Sequence, residues 1–139
     1  MTGRVKRRAS GTGSVGEGLA QEFLERAGYC LIDTNIRFGS TSGVTGELDI
    51  VAWDGPTLCF LEVKTRRASG REGSPAAAVS AAKQRQLTRL ATAYALRYGF
   101  LGDGETPMRF DVVSVTLWPN PDRAPVIRLL RGAFPAADE

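Results

Sequence analysis

Asp49, Glu62 and Lys64, with Glu47 close by, are the side chains whose types and spacing could do chemistry in this sequence. Carboxylates gathered on one surface repel one another unless a cation sits among them, and one lysine cannot neutralise three acids. A hard divalent cation such as Mg2+ takes oxygen ligands and keeps several waters, so two carboxylates and a substrate phosphate would make a suitable site. The bland alternative is a solvated strand face carrying ion pairs. Histidine is absent, which removes Ser-His-Asp triads, histidine-ligated zinc sites and imidazole general bases. Acid-base work must then fall to carboxylates, lysine or metal-bound water.

What positions these residues is the clearest hairpin in the chain: ELDIVAW, then Asp54-Gly55-Pro56, then TLCFLEVKT. Side chains alternate along a strand, so Leu58, Phe60, Glu62 and Lys64 share one face, as do Glu47, Asp49, Val51 and Trp53 on the strand before. A two-residue turn at Asp54-Gly55 sets Glu47 opposite Glu62, whereas a four-residue turn sets Asp49 opposite Glu62. Either register brings Glu47, Asp49, Glu62 and Lys64 onto one face, with directly opposed Cβ atoms ~5 Å apart. Only a three-residue turn would turn one set away. Because Val51, Trp53 and Phe60 lie on that face, it should be partly covered, where unpaired charge is costly.

The remaining elements frame this hairpin. With 139 residues, 42% apolar and 24% charged, the composition is that of one globular domain that folds without disulfides or a structural metal. Residues 1–14 read as a flexible basic arm and 133–139 as a flexible tail, leaving a single domain over 15–132. Leu19, Ala20, Phe23, Leu24 and Ala27 make a helical stripe from about Val15 to Ala27, stopped by Gly28. Tyr29 to Phe38 is a strand or extended piece, and Gly39 to Gly46 a loop. After a polar loop from Arg66 to Ser74, Pro75 opens a long helix to about Tyr98, with Leu87, Leu90, Ala91, Tyr94 and Tyr98 facing the sheet. RFDVVSVTL and PVIRLL supply the last strands. The fold class is α/β, a mixed central sheet flanked by helices.

Eighteen Lys and Arg oppose fifteen Asp and Glu for a net charge of +3, but the excess is local. Between residues 62 and 97 eight cations face two carboxylates, and residues 1–8 add four more cations. Such a distribution suits a phosphate backbone, so nucleic acid is the expected partner. Cys30 and Cys59 lack CxxC spacing and are expected to be reduced thiols in the core. No apolar run approaches the ~20 residues that cross a bilayer, and Met1 to Ser14 has no apolar signal core, so no membrane and a cytoplasmic location are expected. Gly11 to Gly16 formally matches GxGxxG, but a basic segment rather than a strand precedes it, which argues against dinucleotide binding.

GELDIVAWDGPTLCFLEVKTR, together with GEGLAQEFL, Lys83-Gln84 and RFDVVSV, resembles the signature of the YraN family, small bacterial proteins with a restriction-endonuclease-like fold similar to archaeal Holliday-junction resolvases. The resemblance runs from about Gly16 to Val115. It implies that Asp49, Glu62 and the backbone carbonyl of Val63 hold Mg2+ or Mn2+, while Lys64 orients or activates the attacking water. Glu17, on the inward stripe of the first helix where the family places a glutamate, would join the metal site; an acid favoured by the helix dipole is the other reading. Lys83 and Gln84 would meet a phosphate, although a helix-to-sheet hydrogen bond explains Gln84 equally well. Arg66, Arg67 and Arg85 are candidates for the nucleic-acid backbone, with Arg85 and Arg89 also readable as solvated.

The expected function is a metal-dependent endonuclease hydrolysing DNA phosphodiester bonds, with structured or branched DNA as a candidate substrate. The alternative is a non-catalytic module, binding nucleic acid or another partner, that keeps the nuclease-like fold. By analogy with resolvases a homodimer is expected, since symmetric cutting of two strands needs two sites.

Overall fold

Both helices end on a glycine with a left-handed backbone, and the hydrogen bonds that follow fix where the chain enters the sheet. In α1 (Thr12–Arg26) Gly28 has φ 100°, its N–H donates to Glu25 O, and the Tyr29 N–H donates to Leu24 O. In α2 (Ala81–Arg97) Gly99 has φ 82°, with Gly99 N–H donating to Leu96 O and Phe100 N–H to Ala95 O. Both are Schellman stops, satisfying carbonyls that the helix leaves open.

The computed structural model describes residues 12–39, 43–68, 79–101 and 106–137. Five strands, β1 (Cys30–Phe38), β2 (Gly46–Asp54), β3 (Thr57–Arg67), β4 (Met108–Leu117) and β5 (Val126–Phe134), form one sheet in the order β1-β2-β3-β4-β5. All neighbours are antiparallel except β3 and β4, which run parallel because α2 forms the crossover between them. This is a mixed sheet with a helix on each face, the expected α/β class and consistent with a restriction-endonuclease-like fold. Period two sorts the core. Cys59 and Leu61 of β3 join Ile50, Ala52, Val113 and Val115 under Ala20 and Leu24 of α1. Leu58 and Phe60 join Val51, Phe110 and Val112 under Leu87, Leu90 and Tyr94 of α2.

Several boundaries differ from expectation. Helix α1 starts at Thr12 rather than Val15, so the last residues of the expected arm are helical; residues 1–11 lie outside the described residues. Helix α2 starts at Ala81, not Pro75. Ser80 has an extended backbone and its side chain accepts the Lys83 N–H at 3.2 Å, an N-cap that sequence periodicity alone does not reveal. Pro75 itself lies outside the described residues. The last strand runs to Phe134, whose ring stacks on Phe110, and the Ala137 N–H donates to Thr88 Oγ1 of α2, so the expected tail is tied down through Ala137. Cys59 is buried as expected, its thiol pushed up to about 12 mainly by burial and next by Asp111, but Cys30 opens edge strand β1 and is exposed. No helix among the described residues is long and apolar enough to cross a membrane.

Candidate metal and phosphate site

The β2–β3 register pairs Val51 with Phe60 and Asp54 with Thr57, which is the alternative that brings Asp49 toward Glu62. The ladder, however, stops at Ile50–Leu61. Beyond that pair the strands part, and Asp49 and Glu62 are the next residue on each. On β3 the Leu58 and Ala68 N–H groups donate to Pro107 and Leu117 on the β4 side, so the odd-numbered residues turn their backbone groups toward β2. Val63 therefore faces the gap, and its N–H donates to Asp49 Oδ2 at 2.8 Å. Its carbonyl opens on the same side, where the resemblance requires a third oxygen.

The gap is a polar cleft of about 430 Å³ between the N-terminal ends of the two helices. β2 and β3 contribute Glu47, Asp49, Glu62, Val63, Lys64 and Thr65; α1 contributes Gly13 and Glu17; α2 contributes Lys83 and Gln86. Glu17 and Glu62 are 7% exposed and Asp49 9%. Burial and then the neighbouring Asp49 charge push the Glu62 carboxyl from 4.5 up to about 7, against the pull of Lys83 and Lys64. Lys83 Nζ lies 3.9 Å from Glu62 Oε2. A buried acid repelled by a second acid and only partly compensated by lysines is a site with affinity for added positive charge.

The donor set fits a hard divalent cation through two carboxylates and the Val63 carbonyl, the remaining positions being left to water and phosphate. Among the described residues no three His, Cys, Asp or Glu side chains converge tightly enough to hold a metal ion by themselves. Glu17 thus lines the cleft without completing a three-acid cluster. Glu47 departs from simple alternation. Asn35 on β1 has φ 52° and stands where the register would place it opposite Asp49. At this point the alternation slips: Leu48 and Val51 both pack with the α2 cluster, while Ile50 packs with the α1 cluster. Glu47 is therefore turned away from the α2 side, with Arg37 Nε 3.9 Å from its Oε2.

Of the expected phosphate-binding pair, Lys83 lines the cleft and Gln84 does not. Gln84 Nε2 donates to Val79 O at the start of α2, so its role is local. Gln86 takes the place beside Lys83, donating to Thr45 O at 3.2 Å. It can do so because position 46 is glycine: a Cβ there would come within 2.6 Å of Gln86 Nε2. Gln86 lies on the helix stripe that includes Lys83 and Leu90, a signal visible in the sequence once the stripe is centred correctly. On the other side, a Cβ at Gly16 would come within 1.8 Å of Thr65 Oγ1, so α1 can lie against β3 and bring Glu17 to the cleft only because residue 16 has no side chain. Arg66 is half-buried and Arg67 and Arg85 are exposed, all near the open end of β3 or the first turns of α2. A second cleft, about 470 Å³, is lined by Phe60, Phe110, Phe134 and Leu101; its cation, Arg109, is already held by Asp54 and Asp111, and among the described residues no carboxylate lines it, unlike the first.

The family model described as "Uncharacterised protein family UPF0102" matches residues 16–115. A UPF0102 protein of Symbiobacterium thermophilum is 49% identical over 124 residues, 89% of this chain and 96% of the relative. One of Geobacter sulfurreducens is 46% identical over 122 residues, 88% of this chain and 87% of the relative, and one of Chlorobaculum parvum 40% over 130 residues, 91% and 94%. The matched span contains both carboxylates, both site lysines and the glycines that let the helices close on them, and the chain belongs to family UPF0102, the YraN family.

Proposed function

We propose that this protein is a Mg2+- or Mn2+-dependent endonuclease that hydrolyses DNA phosphodiester bonds. The observation that carries the reading is the meeting of Asp49 and Glu62 across the end of the β2–β3 ladder, with the Val63 backbone between them and Lys64 as the next residue on the same face of β3. Asp49, Glu62 and the Val63 carbonyl would hold the cation. When bound, the cation supplies positive charge against the charge that develops on the phosphate oxygens. Lys64 orients or activates the attacking water. Lys83, reaching over from α2, offsets the carboxylates and meets the incoming phosphate. The cationic surface around Arg66, Arg67 and Arg85 supplies sequence-independent attraction for the backbone.

The test is cleavage of linear, flapped and four-way DNA with Mg2+ or Mn2+. Asp49→Asn, Glu62→Gln and Lys64→Ala are each expected to lower the rate at least ~100-fold while leaving most DNA binding in place. Equal rates in all four proteins overturn the assignment. A second reading, a DNA-binding module of the same fold that cuts nothing, draws on the finding that among the described residues no three acid side chains converge as a metal-holding group; it expects binding without cleavage in every protein, native included.

A further inference from the structure

Directly paired residues of adjacent strands share a face, so side chains on β3, β4 and β5 form transverse rows. The β3–β4 register pairs Lys64 with Ser114, and the β4–β5 register pairs Ser114 with Arg128. Glu62, Val112 and Leu130 form the row before; Arg66, Thr116 and Val126 form the row after. Phe60, Phe110 and Val112 pack in the α2 cluster, which places these rows on the α2 side of the sheet, whereas Ile127 and Leu129 pack with the α1 cluster. The row that begins at Lys64, beside the carboxylates, thus ends at Arg128, two strand spacings or about 10 Å away.

Arg128 is exposed, and among the described residues no carboxylate pairs with it. Four other cations of the sheet and of α2 do face carboxylates: Arg37 with Glu47, Lys83 with Glu62, Arg109 and Arg131 with Asp54. In the register the residue between Lys64 and Arg128 is the small, buried Ser114. A guanidinium on a strand has a fixed origin, and its planar fork matches phosphate oxygens.

We infer that Arg128 is a phosphate-binding residue. A nucleic-acid strand whose scissile phosphate enters the carboxylate cleft runs past Lys64 toward the β5 edge, and a neighbouring phosphate of that strand rests on Arg128. The inference builds on the nucleic-acid reading above and adds to it a direction, transverse to β3 and toward the β5 edge.

The test is binding of a fluorescein-labelled single-stranded oligonucleotide, and of the same sequence as duplex, to the full-length protein in EDTA across a KCl series, followed by anisotropy. Arg128→Ala is expected to weaken binding about 5-fold, Arg128→Glu more, and both to lower the slope of log affinity against log salt by about one contact. Arg128→Lys keeps the slope, and Arg26→Ala, in the last turn of α1, changes neither quantity. Wild-type affinity and slope in Arg128→Glu overturn the inference, as does an equal loss in Arg26→Ala. A loss specific to Arg128 in a protein that cuts no DNA with either metal keeps the strand path and removes only the hydrolytic reading. Native protein that binds neither oligonucleotide overturns both.

Discussion

Asp49 Oδ2 accepts the Val63 N–H at 2.8 Å, so a β2 side chain stands where a backbone carbonyl would stand if the ladder continued past Ile50–Leu61. The carboxylate therefore has a structural duty besides its chemical one, and the two separate by substitution. Asp49→Asn keeps an acceptor for Val63 and removes the charge that faces Glu62. Asp49→Ala leaves a part-buried N–H unsatisfied, at a cost of about 1–2 kcal/mol. Urea denaturation without metal should place the Asn variant near the native protein and the Ala variant below it, while neither cleaves DNA. Equal losses in the two would remove the hydrogen bond from the account.

Glu62 titrates near 7 rather than at 4.5 because it is buried and faces Asp49. The folded state then holds this proton more tightly than the unfolded chain does. Its contribution to stability is fully present below about pH 4.5 and is lost as pH rises through 7. Glu62→Gln cannot ionise, so it should be the more stable protein at pH 8 in EDTA, by about 1–3 kcal/mol, with the difference vanishing at pH 4. Thermal melts at both pH values check this. Mg2+ should stabilise the native protein more at pH 8 than at pH 6, since binding must displace the proton, and should do little for the Gln variant.

The hairpin, its two-residue alternation and the helix stripes were legible in the sequence because each depends on neighbours close in the chain. Leu58, Phe60 and Glu62 fall on the α2 face as period two requires, and Gly28 ends α1 as its left-handed φ of 100° allows. What could not be read depends on distant partners. The slip at Asn35 and Asp49, which turns Glu47 from its expected face, arises from a positive φ on a neighbouring strand. The exchange of Gln84 for Gln86 depends on Gly46 leaving room 40 residues earlier in the chain. The start of α2 is the exception, a local feature: the cap at Ser80, bonded to the Lys83 N–H three residues on, competes with the preference for proline in a first turn.

Asp111 is fully buried and holds β4, β5 and the end of α1 together. Its Oδ1 accepts from Arg109 Nε and the Gly132 N–H, and its Oδ2 from Tyr29 Oη and Arg109, each within 2.9 Å. Arg109 also reaches Asp54 at the hairpin turn, whose carboxyl it holds below the usual range. Removing the buried acid leaves Arg109 with Asp54 alone as a carboxylate partner and takes from the Tyr29 hydroxyl and the Gly132 N–H their acceptor, so Asp111→Ala should cost about 3–5 kcal/mol, a large part of the stability of a domain this size. Tyr29→Phe removes one of several donors and should cost only about 1 kcal/mol. Chemical denaturation of both variants checks the order; a Tyr29→Phe loss equal to that of Asp111→Ala would mean the phenol, not the carboxylate, is the centre of the network.

Gly16 and Gly18 lie in the same helix and should respond oppositely to alanine. Alanine favours a helix interior by about 0.8–1 kcal/mol over glycine. At Gly18 a new Cβ meets nothing within 4 Å, so Gly18→Ala should stabilise the protein by most of that amount. At Gly16 the same methyl would lie 1.8 Å from Thr65 Oγ1 and 2.7 Å from Thr65 Cβ, so α1 must lift away from β3. Overpacking of this kind outweighs the propensity gain, and Gly16→Ala should lose about 1–3 kcal/mol. Because the lift withdraws Glu17 from the cleft, Gly16→Ala should also weaken Mn2+ binding measured by calorimetry, while Gly18→Ala leaves it unchanged. A Gly16→Ala protein as stable as the native one, with native Mn2+ affinity, would mean that the approach of α1 to β3 is not what sets the cleft.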